Sequence, residues 1–415
     1  VPESFHRSGQ ATHLEVTDRH SLFKNVRFSK DKRQIFEELE LLIIDEVSMM
    51  RCDMLDAIDA VLRHFRRNNY PFGGVQMLFI GDLFQLPPVV QNEEWNILQQ
   101  YYESPFFFSA RALKEAPPLY VELKKIYRQN EQQFIDILNR IRNNAATSDD
   151  LQTLNARYVP DFVPAANDHF ITITTHNKRA DAINRAELEK LDAPMHTFKA
   201  EITGDFSEKS LPTDEVLQLK KGAQVMFIKN DSSAERRYYN GKLGTVKSIL
   251  NDEIMISFDD GSPELKLEKE TWKNIRYTYN KEQDDIDEEE LGSFKQYPVR
   301  LAWAITVHKS QGLTFNRAII DAGASFAPGQ VYVALSRCTD MQGMYLRSRI
   351  SPSAIATDAR VLSFAQQEPD ENTLYARLEQ EKYKFWANSL VKLFDWSRIV
   401  FEIHEWVQLI PEKKL

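Results

Sequence analysis

Two short apolar runs in the first quarter of the chain each end abruptly at acidic or amide side chains. Residues 41–44 are Leu-Leu-Ile-Ile and precede Asp-Glu, and residues 77–80 are Met-Leu-Phe-Ile and precede Gly-Asp-Leu-Phe-Gln. Four apolar residues bounded by polar ones are typical of a strand buried on both faces, as in a parallel sheet. Ligands of such sheets bind at the carboxyl ends of the strands. The polar residues predicted to converge on one crevice are Asp45, Glu46, Asp82 and Gln85.

Adjacent carboxylates at the edge of a sheet suit nucleotide hydrolysis. One carboxylate can position the shell of a magnesium ion while the other polarises a water. An acidic pair after an apolar strand is by itself more often structural, but the run Gly-Asp-x-x-Gln-Leu-Pro-Pro at 81–88 is much rarer. Gln85 has no evident structural duty there and could sense a terminal phosphate. The sequence therefore predicts phosphate chemistry.

Charge and cysteine content narrow the class of protein. The 415 residues suffice for two or three domains, and no apolar stretch approaches membrane-spanning length. The net charge is −9, and much of the negative excess lies in the run 282–290, which is predicted to be a solvated loop. Basic clusters elsewhere could still line a groove for a phosphate backbone. Cys52 and Cys338 form neither a zinc site nor a disulfide framework, and we expect small buried side chains in a reducing compartment.

Hydrophobic periodicity predicts alternating helices and strands with a β-rich insertion. Apolar stripes predict helices at 50–66, 131–143 and 177–191, and further strands are predicted at 170–174 and 299–304. The short β-type segments of 216–280, separated by Asn, Asp and Gly turns, indicate a small β-barrel. The predicted domains are a first α/β domain at 1–120, a second at 121–215 continuing at 295–350, an inserted barrel at 216–294 and a helical extension at 351–415. The aromatic side chains of the extension are expected to pack on the core, with partner or nucleic-acid binding as the alternative.

A second polar cluster follows the strand predicted at 299–304. Residues 305–314 read Ile-Thr-Val-His-Lys-Ser-Gln-Gly-Leu-Thr. Hydroxyl, imidazole, ammonium and amide groups donate hydrogen bonds to phosphates, and glycine lets the backbone approach closely. A lone histidine is more often structural, but His308 in this company favours contact with a nucleic acid or a nucleotide.

Two arginines could reach a γ-phosphate across a cleft. Arg337 ends the segment 329–337, and Arg128 lies in Ile-Tyr-Arg-Gln at 126–129. Either guanidinium could stabilise the charge that builds up in a phosphoryl-transfer transition state. Taken singly, each arginine more often forms a surface salt bridge.

Five motifs in order resemble the helicase motifs of the petite-integration-frequency family, relatives of the RecD helicases in superfamily 1. The match extends over about residues 41–350, and the ordered set is far more specific than any one motif. The motifs are Asp-Glu-Val-Ser-Met at 45–49, Gly-Asp-Leu-Phe-Gln-Leu-Pro-Pro at 81–88, Tyr-Arg-Gln at 127–129, His-Lys-Ser-Gln-Gly at 308–312 and Tyr-Val-Ala-Leu-Ser-Arg at 332–337.

The resemblance implies an α/β fold with two RecA-like parallel-sheet domains, the first incomplete, and a small β-barrel inserted in the second. It implies that ATP and Mg²⁺ bind between the two domains and that single-stranded DNA lies across their tops. DNA unwinding with 5′-to-3′ polarity follows from the same resemblance. Fork or otherwise structured DNA is a further expected partner, and a monomer is expected.

The resemblance also implies roles for individual residues. Asp45 is implied to be the magnesium-associated carboxylate and Glu46 the general base for water. Gln85 is implied to sense the γ-phosphate, and Arg128 and Arg337 are implied to be arginine fingers. The residues implied to lie near DNA are His176, Asn177, Thr306, His308, Lys309 and Ser310. Gln311 and Gly312 are implied to link DNA and nucleotide.

Two motifs of the family are not found: a phosphate-binding motif and the DNA-contacting motif that follows it in the family. The sequence Gly-x-x-x-x-Gly-Lys-[Ser/Thr], whose amides and lysine cradle phosphates, does not occur in these 415 residues: Gly73-Gly74 lacks the lysine and Gly241-Lys242 lacks the spacing. The order of the other motifs predicts that the missing segment lies upstream of Val1. The strand that precedes this phosphate-binding motif is central in RecA-like sheets. Without it, we expect an uncovered apolar face in the first domain. Negligible ATP hydrolysis by this chain alone is also expected.

Two functions are in competition. The first is an ATP-dependent DNA helicase, and the alternative is a non-catalytic single-stranded nucleic-acid-binding module on a helicase scaffold. The hydrolytic residues downstream of the absent motif favour the enzyme. A nucleotide hydrolase that does not act on nucleic acid explains neither 306–312 nor the insertion. Roles in DNA repair and recombination are implied, in the cytoplasm with the nucleoid of a bacterium, or in the nucleus or mitochondrion of a eukaryote.

Overall fold

The chain forms two compact units. The computed structural model describes residues 30–165, 168–251, 253–280, 285–321, 329–394 and 396–408. The first unit comprises the described residues up to Pro117 and those from Lys125 to Leu362. The second unit comprises Pro118–Lys124 and the described residues from Ser363 onward. The first unit contains both predicted α/β domains and the predicted insertion.

The helices begin and end where local signals place them. Asp53 lies in the first turn of α2 and Arg63 and His64 in its last, so their charges complement the helix dipole. A capping box between Thr147 and Asp150 starts α6. The α-helices of the described residues are α1 (Lys30–Glu38), α2 (Cys52–Phe65), α3 (Asn92–Leu98), α4 (Arg111–Glu115), α5 (Gln132–Arg142), α6 (Ser148–Asn155), α7 (Asn177–Lys190), α8 (Gln330–Ser336), α9 (Ala359–Ala365), α10 (Glu371–Leu393) and α11 (Ser397–Gln408).

The strands belong to two parallel sheets and to a β-rich region, which in sequence follows the first strand of the second parallel sheet and precedes its other three strands. In chain order the described strands are β1 (Leu41–Ile44), β2 (Gln76–Phe79), β3 (Ile171–Thr174), β4 (His196–Lys199), β5 (Glu201–Gly204), β6 (Val216–Leu219), β7 (Gln224–Phe227), β8 (Leu243–Leu250), β9 (Glu253–Ser257), β10 (Leu265–Leu267), β11 (Glu270–Asn280), β12 (Asp285–Gln296), β13 (Val299–Leu301), β14 (Ala304–Thr306), β15 (Ala318–Ile320) and β16 (Met344–Leu346).

The first parallel sheet consists of β1 and β2, paired from Leu41↔Gln76 onward. One face packs on aromatic side chains, because the Phe79 ring lies 5.6 Å from the Phe107 ring. The other face is open, and Ile43 is 52 % exposed. Burial on both faces is therefore wrong for this sheet, whereas the expected uncovered apolar face is present.

The second parallel sheet has the strand order β14-β3-β15-β16. All four residues of β3 are buried. Helices α5 and α8 contribute Phe134 and Val333 to the same core as Ile173, and each such buried side chain contributes about 1.5–3 kcal/mol. Cys52 and Cys338 are buried free thiols, as predicted.

The β-rich region begins at β4, earlier than the predicted 216. A five-stranded antiparallel sheet has the order β10-β9-β8-β7-β13, β4 pairs with β6, and β11 and β12 form a sheet with β5. In the described residues these pairings give separate sheets, without the strand-to-strand closure of a barrel. A core that includes Phe227, Val246 and Ile256 holds the five-stranded sheet together.

Two local predictions about this region are wrong. The strand predicted at 299–304 is two strands: β13 pairs antiparallel with β7, and β14 pairs parallel with β3. Residues 285–290 of the acidic run lie in β12, paired with β11, and are not a loop. Residues 281–284 lie outside the described part of the chain. The run is solvated all the same, because residues 287–290 are exposed.

The second unit is helical, as predicted, but its aromatic residues do not form a core. Within it the rings of Tyr120 and Phe364 pack edge to face at 5.8 Å. The aromatic side chains described on α10 and α11 are largely exposed, with Trp386 at 60 %. The expected packing of these side chains on the core of the first unit stays a prediction. None of the described helices is long and apolar enough to cross a membrane.

Candidate active site

The turn after β1 fixes the direction of Glu46. Its backbone N–H donates to Oδ1 of Asp45 at 2.8 Å, and its carbonyl accepts from the N–H of Met49 at 3.0 Å. These bonds hold Glu46 in the left-handed region, at φ 50° and ψ 42°, where a non-glycine residue is strained. Asp45 is exposed and Glu46 is half-buried. The carboxylates of Asp45 and Glu46 therefore have different surroundings although the two residues are adjacent.

The Glu46 carboxylate meets a residue that follows the second parallel sheet. Its Oε2 accepts a hydrogen bond of 2.8 Å from Nε2 of Gln311. Gln311 lies in the turns after β14, 265 residues along the chain. The structure thus brings together two residues that the sequence placed in separate motifs.

The turn after β2 sets the direction of Gln85. Oδ1 of Asp82 accepts from the N–H of Phe84 at 3.1 Å, and Oδ2 accepts from Nε2 of Gln85 at 3.1 Å. The hydroxyl of Tyr332 on α8 donates to the same Oδ2 at 3.4 Å. Burial and the Asp82 carboxylate raise the pKa of Tyr332, so the phenol stays protonated and can donate. Asp82 thereby aims the amide oxygen of Gln85 away from itself.

Arg337 lies across the cleft from Gln85. Its side chain is buried, with 1 % of the residue exposed, and Nη2 donates to Oε1 of Gln85 at 3.5 Å. Nε also donates to the carbonyl of Val333 at 3.1 Å. Burial and the nearby Arg128 lower the pKa of Arg337 to about 10. A buried guanidinium with a cationic neighbour is stabilised by an anion, so the pair favours phosphate binding.

Arg128 is held beside Arg337 by the end of α8. Nη1 of Arg128 donates to the carbonyl of Ser336 at 3.3 Å. Nε2 of the buried Gln129 donates to the carbonyls of Ser336 and Cys338 at 3.0 and 3.1 Å. These contacts hold the two arginine-bearing segments against each other.

A glycine lets α8 approach the turn that carries Gln85. Gly329 precedes the helix at φ 83°, and a Cβ there would lie 2.5 Å from the carbonyl oxygen of Gln85. Any other residue would both strain the backbone and push the two segments apart. The short distance between Gln85 and Arg337 depends on this contact.

The residues predicted to lie near DNA come from the carboxyl ends of two adjacent parallel strands. Thr306 of β14 pairs with Thr174 of β3. His308 and Lys309 follow β14, His176 and Asn177 follow β3, and all four of these residues are exposed. The exposed side chains that share this edge are His176, Asn177, His308 and Lys309.

Thr306 and Ser310 differ from this group because both are buried. Oγ1 of Thr306 accepts from the N–H of Lys309 at 3.3 Å, and Oγ of Ser310 donates to the carbonyl of Val307 at 2.8 Å. The hydroxyls shape the turn and do not face solvent. Both side chains therefore stabilise the turn that carries His308 and Lys309, and the expected nearness of Thr306 and Ser310 to DNA stays a prediction. Gly312 follows in the left-handed region at φ 76°.

Within the described residues, no group of three or more His, Cys, Asp or Glu side chains could hold a metal ion by itself. One exposed carboxylate, Asp45, is available at the cleft. That donor set fits Mg²⁺, which is held in nucleotide sites by one or two carboxylates, substrate phosphates and water.

Sequence reasoning found most of these residues and missed two. Tyr332 and Gln129 lie inside the quoted motifs but received no role. Gln129 is a polar residue next to Arg128, and Tyr332 is a polar residue in the middle of a mostly apolar helix. These are the signals that could have indicated them. Together these residues define an α/β protein with a charged cleft at the carboxyl ends of two parallel sheets.

Comparison with known proteins identifies the family. A family model described as PIF1-like helicase matches residues 7–152. The ATP-dependent DNA helicase Pif1 of Bdellovibrio bacteriovorus is 31 % identical over 350 residues, which cover 82 % of this chain and 74 % of that protein. The chain therefore belongs to the PIF1-like helicase family.

Other curated relatives are longer than this chain. Human ATP-dependent DNA helicase PIF1 is 33 % identical over 343 residues, which cover 80 % of this chain and 50 % of the human protein. The rat and mouse proteins show similar coverage. The chain thus spans about half the length of these relatives.

Solved structures of Pif1 share the fold. Bacteroides Pif1 in complex with ADP-AlF4 is 40 % identical and matches with a TM-score of 0.76 over 86 % of this chain and 80 % of that one. Bacteroides Pif1 in complex with ADP-AlF3 and ssDNA is 40 % identical, with a TM-score of 0.59 over 84 % of this chain and 82 % of that one. The match supports two RecA-like domains in this chain.

Proposed function

We propose that this chain carries the hydrolytic and DNA-binding parts of an ATP-dependent DNA helicase that moves 5′-to-3′ along single-stranded DNA. The observation that carries the proposal is the cleft in which Gln85 meets the buried Arg337 at 3.5 Å and Glu46 meets Gln311 at 2.8 Å. A base, an amide sensor, the buried Arg337 and the half-buried Arg128 in one cleft match the needs of phosphoryl transfer.

The cleft residues divide the work of hydrolysis. Glu46 accepts the proton of the attacking water, and Gln85 contacts the γ-phosphate. Arg128 and Arg337 stabilise the charge that develops on the transferred phosphoryl group. Mg²⁺ would be held by Asp45 together with phosphate oxygens, and would neutralise part of the phosphate charge.

The DNA strand crosses the carboxyl ends of β3 and β14. Lys309 and His308 contact phosphates there, and His176 and Asn177 line the same edge. Thr306 and Ser310 hold the turn in shape, and Gln311 and Gly312 join this edge to the nucleotide cleft. The structure of Bacteroides Pif1 bound to ssDNA and a structure of two coordinating Pif1 helicases at forked dsDNA support single-stranded or fork DNA as the partner. The remaining parts of the proposal are action as a monomer, and a location in the cytoplasm of a bacterium or in the nucleus or mitochondrion of a eukaryote.

The second candidate is a non-catalytic module that binds single-stranded DNA. The two candidates differ in how nucleotide affects DNA binding. A motor binds DNA with an affinity that changes with the bound nucleotide, whereas a module is indifferent to it.

Fluorescence anisotropy of a labelled oligonucleotide tests the proposal. Removing one phosphate contact with Lys309→Ala should weaken binding to all sequences and reduce the slope of log K against log salt by about 1. The matched control is Lys190→Ala, which removes an exposed lysine at the far end of α7. Equal effects of the two variants would contradict the proposal that Lys309 contacts DNA at this edge. An affinity unmoved by ADP-AlF4 would favour the module.

A further inference from the structure

Glu46, proposed above as the general base, accepts a hydrogen bond from Gln311. Gln311 lies in the segment 306–312, which also carries His308 and Lys309 of the proposed DNA edge. We propose that Gln311 is a positioning residue that restrains the carboxylate of Glu46 until DNA engages the 306–312 segment. The hydrogen bond of 2.8 Å between Nε2 of Gln311 and Oε2 of Glu46 is the restraint. This inference rests on the proposed function, and it assigns the coupling between DNA binding and hydrolysis to one pair of side chains.

The Glu46 side of this pair has little freedom in its backbone. The N–H donates to Asp45 and the carbonyl accepts from Met49, so the turn is fixed at both ends. The next residue is fixed as well, because the N–H of Val47 donates to the carbonyl of Ile80 at 2.9 Å. Only the side chain of Glu46 can reorient. What its carboxylate binds therefore decides whether it can face a water in the cleft.

The Gln311 side of the pair is connected directly to the exposed edge. The N–H of Gln311 donates to the carbonyl of His308 at 3.3 Å, so a shift of His308 also shifts Gln311. Ser310 is anchored to Val307, which keeps the base of the turn in place. Gly312 follows with φ 76° and with open space where a Cβ would lie, so the chain can pivot there. A phosphate bound by His308 or Lys309 can thus draw the amide of Gln311 away from Glu46.

The chemistry explains why the restraint slows hydrolysis. As the water oxygen bonds to the γ-phosphorus, the bond from that phosphorus to the bridging oxygen breaks and a water proton passes to Glu46. A carboxylate oxygen that already accepts an N–H bond is turned toward its donor and is less available to an attacking water. From the strength of a hydrogen bond to a charged group, release should raise the rate about 10-fold.

ATP hydrolysis by protein expressed from its complete reading frame tests the inference, measured with and without saturating single-stranded DNA. Gln311→Ala should raise the DNA-free rate about 10-fold and lower the ratio of DNA-stimulated to DNA-free rate by the same factor. Loss of structure alone cannot raise a rate. Combining Gln311→Ala with Glu46→Gln should abolish the gain, because the released group is Glu46 itself.

The matched control is Gln132→Ala on α5, where an exposed glutamine bonds to Asp136 at 2.8 Å. This variant should keep the wild-type ratio. A Gln311→Ala protein that keeps the wild-type ratio, or that loses hydrolysis both with and without DNA, overturns the inference. Wild-type protein that hydrolyses ATP equally with and without DNA overturns the coupling alone. Wild-type protein that neither binds single-stranded DNA nor hydrolyses ATP overturns the proposed function.

Discussion

The two parallel sheets of the first unit are covered in opposite ways. In the second sheet, Ile173 is fully buried among side chains of α5 and α8. In the first sheet, Ile43 is 52 % exposed, although its neighbours in sequence are just as apolar. Burial is therefore set by the elements that pack on a strand and not by the strand itself. The proposed nucleotide cleft lies between one region with a closed core and one with an open face.

Polar contacts compensate in part for the open face of the first sheet. Nη1 of Arg66, which follows α2, donates to the carbonyls of Glu37 and Leu39 at 2.6 and 2.7 Å. Its Nε donates to the carbonyl of Gly73 at 2.8 Å. One guanidinium thus ties the chain that enters β1 to the turn that precedes β2.

The largest expected effect tests whether hydrolysis needs both regions. The first region supplies Glu46 and the second supplies Arg337. From the usual contribution of an arginine finger, Arg337→Ala should lower the DNA-stimulated kcat for ATP about 10³-fold. The measurement is steady-state hydrolysis by protein from the complete reading frame. Arg349→Ala, which removes an exposed arginine stacked on Tyr158, is the control and should change kcat little. Equal kcat values for the two variants would remove Arg337 from the cleft chemistry.

The difference in burial predicts a difference in stability. Ile173→Ala leaves a cavity in a closed core and should lower the free energy of unfolding by about 3 kcal/mol. Ile43→Ala makes the same chemical change on an open face and should cost only about 0.5 kcal/mol. Urea unfolding followed by circular dichroism measures both values. Similar losses at the two positions would mean that the face of β1 is covered in solution.

Arg66 tests how far polar contacts replace a core. Arg66→Met keeps most of the apolar stem but removes the hydrogen bonds to the chain that enters β1 and to the turn that precedes β2, and should cost about 2 kcal/mol. Hydrogen exchange should increase in β1 and β2 and remain unchanged in β3. Arg67→Met changes the neighbouring arginine and is the control. Faster exchange in β3 as well would show that the two sheets unfold as one.

A smaller effect than that of Arg66→Met is expected for an ion pair of the second region, and it should depend on pH. The Arg140 guanidinium and Thr147 hold the pKa of the Asp150 carboxyl well below its usual range. A lowered folded-state pKa stabilises the protein above the unfolded pKa of about 3.9, and this contribution is lost as pH falls below that value. Asp150→Asn should therefore cost about 1 kcal/mol at pH 7 and progressively less as the pH falls below 4. A cost that is the same at pH 7 and pH 3 would contradict the linkage.

Local patterns in the sequence predicted most elements but not how they are covered or divided. The helices α2, α5 and α7 agree with their predictions to within two residues at each end, because an amphipathic stripe is a local signal. The open face of β1 and the split of 299–304 into β13 and β14 depend on distant partners. The acidic run 285–290 became a strand because β11 pairs with it, against its own composition.

The candidate site was predictable where motifs end strands and unpredictable where contacts cross the cleft. Asp45, Glu46 and Gln85 follow apolar runs, so their place at a sheet edge could be predicted. The bond between Glu46 and Gln311 joins residues 265 positions apart, which no local pattern encodes. Burial of Thr306 and Ser310 was missed for a different reason, since their hydroxyls look free in the sequence but bind the backbone of their own turn.

The short joint between β13 and β14 has a mechanical consequence. Only Ala302 and Trp303 separate a strand of the five-stranded sheet from a strand of the second parallel sheet. The buried Gln224 clamps this joint by donating to the carbonyls of Ala302 and Phe170 at 2.8 and 3.0 Å. A tether this short and clamped has no slack, so tilting the antiparallel sheet must rotate β14 as well. A force that tilts the five-stranded sheet would therefore also move His308, which follows β14, because the two-residue joint is too short to bend independently.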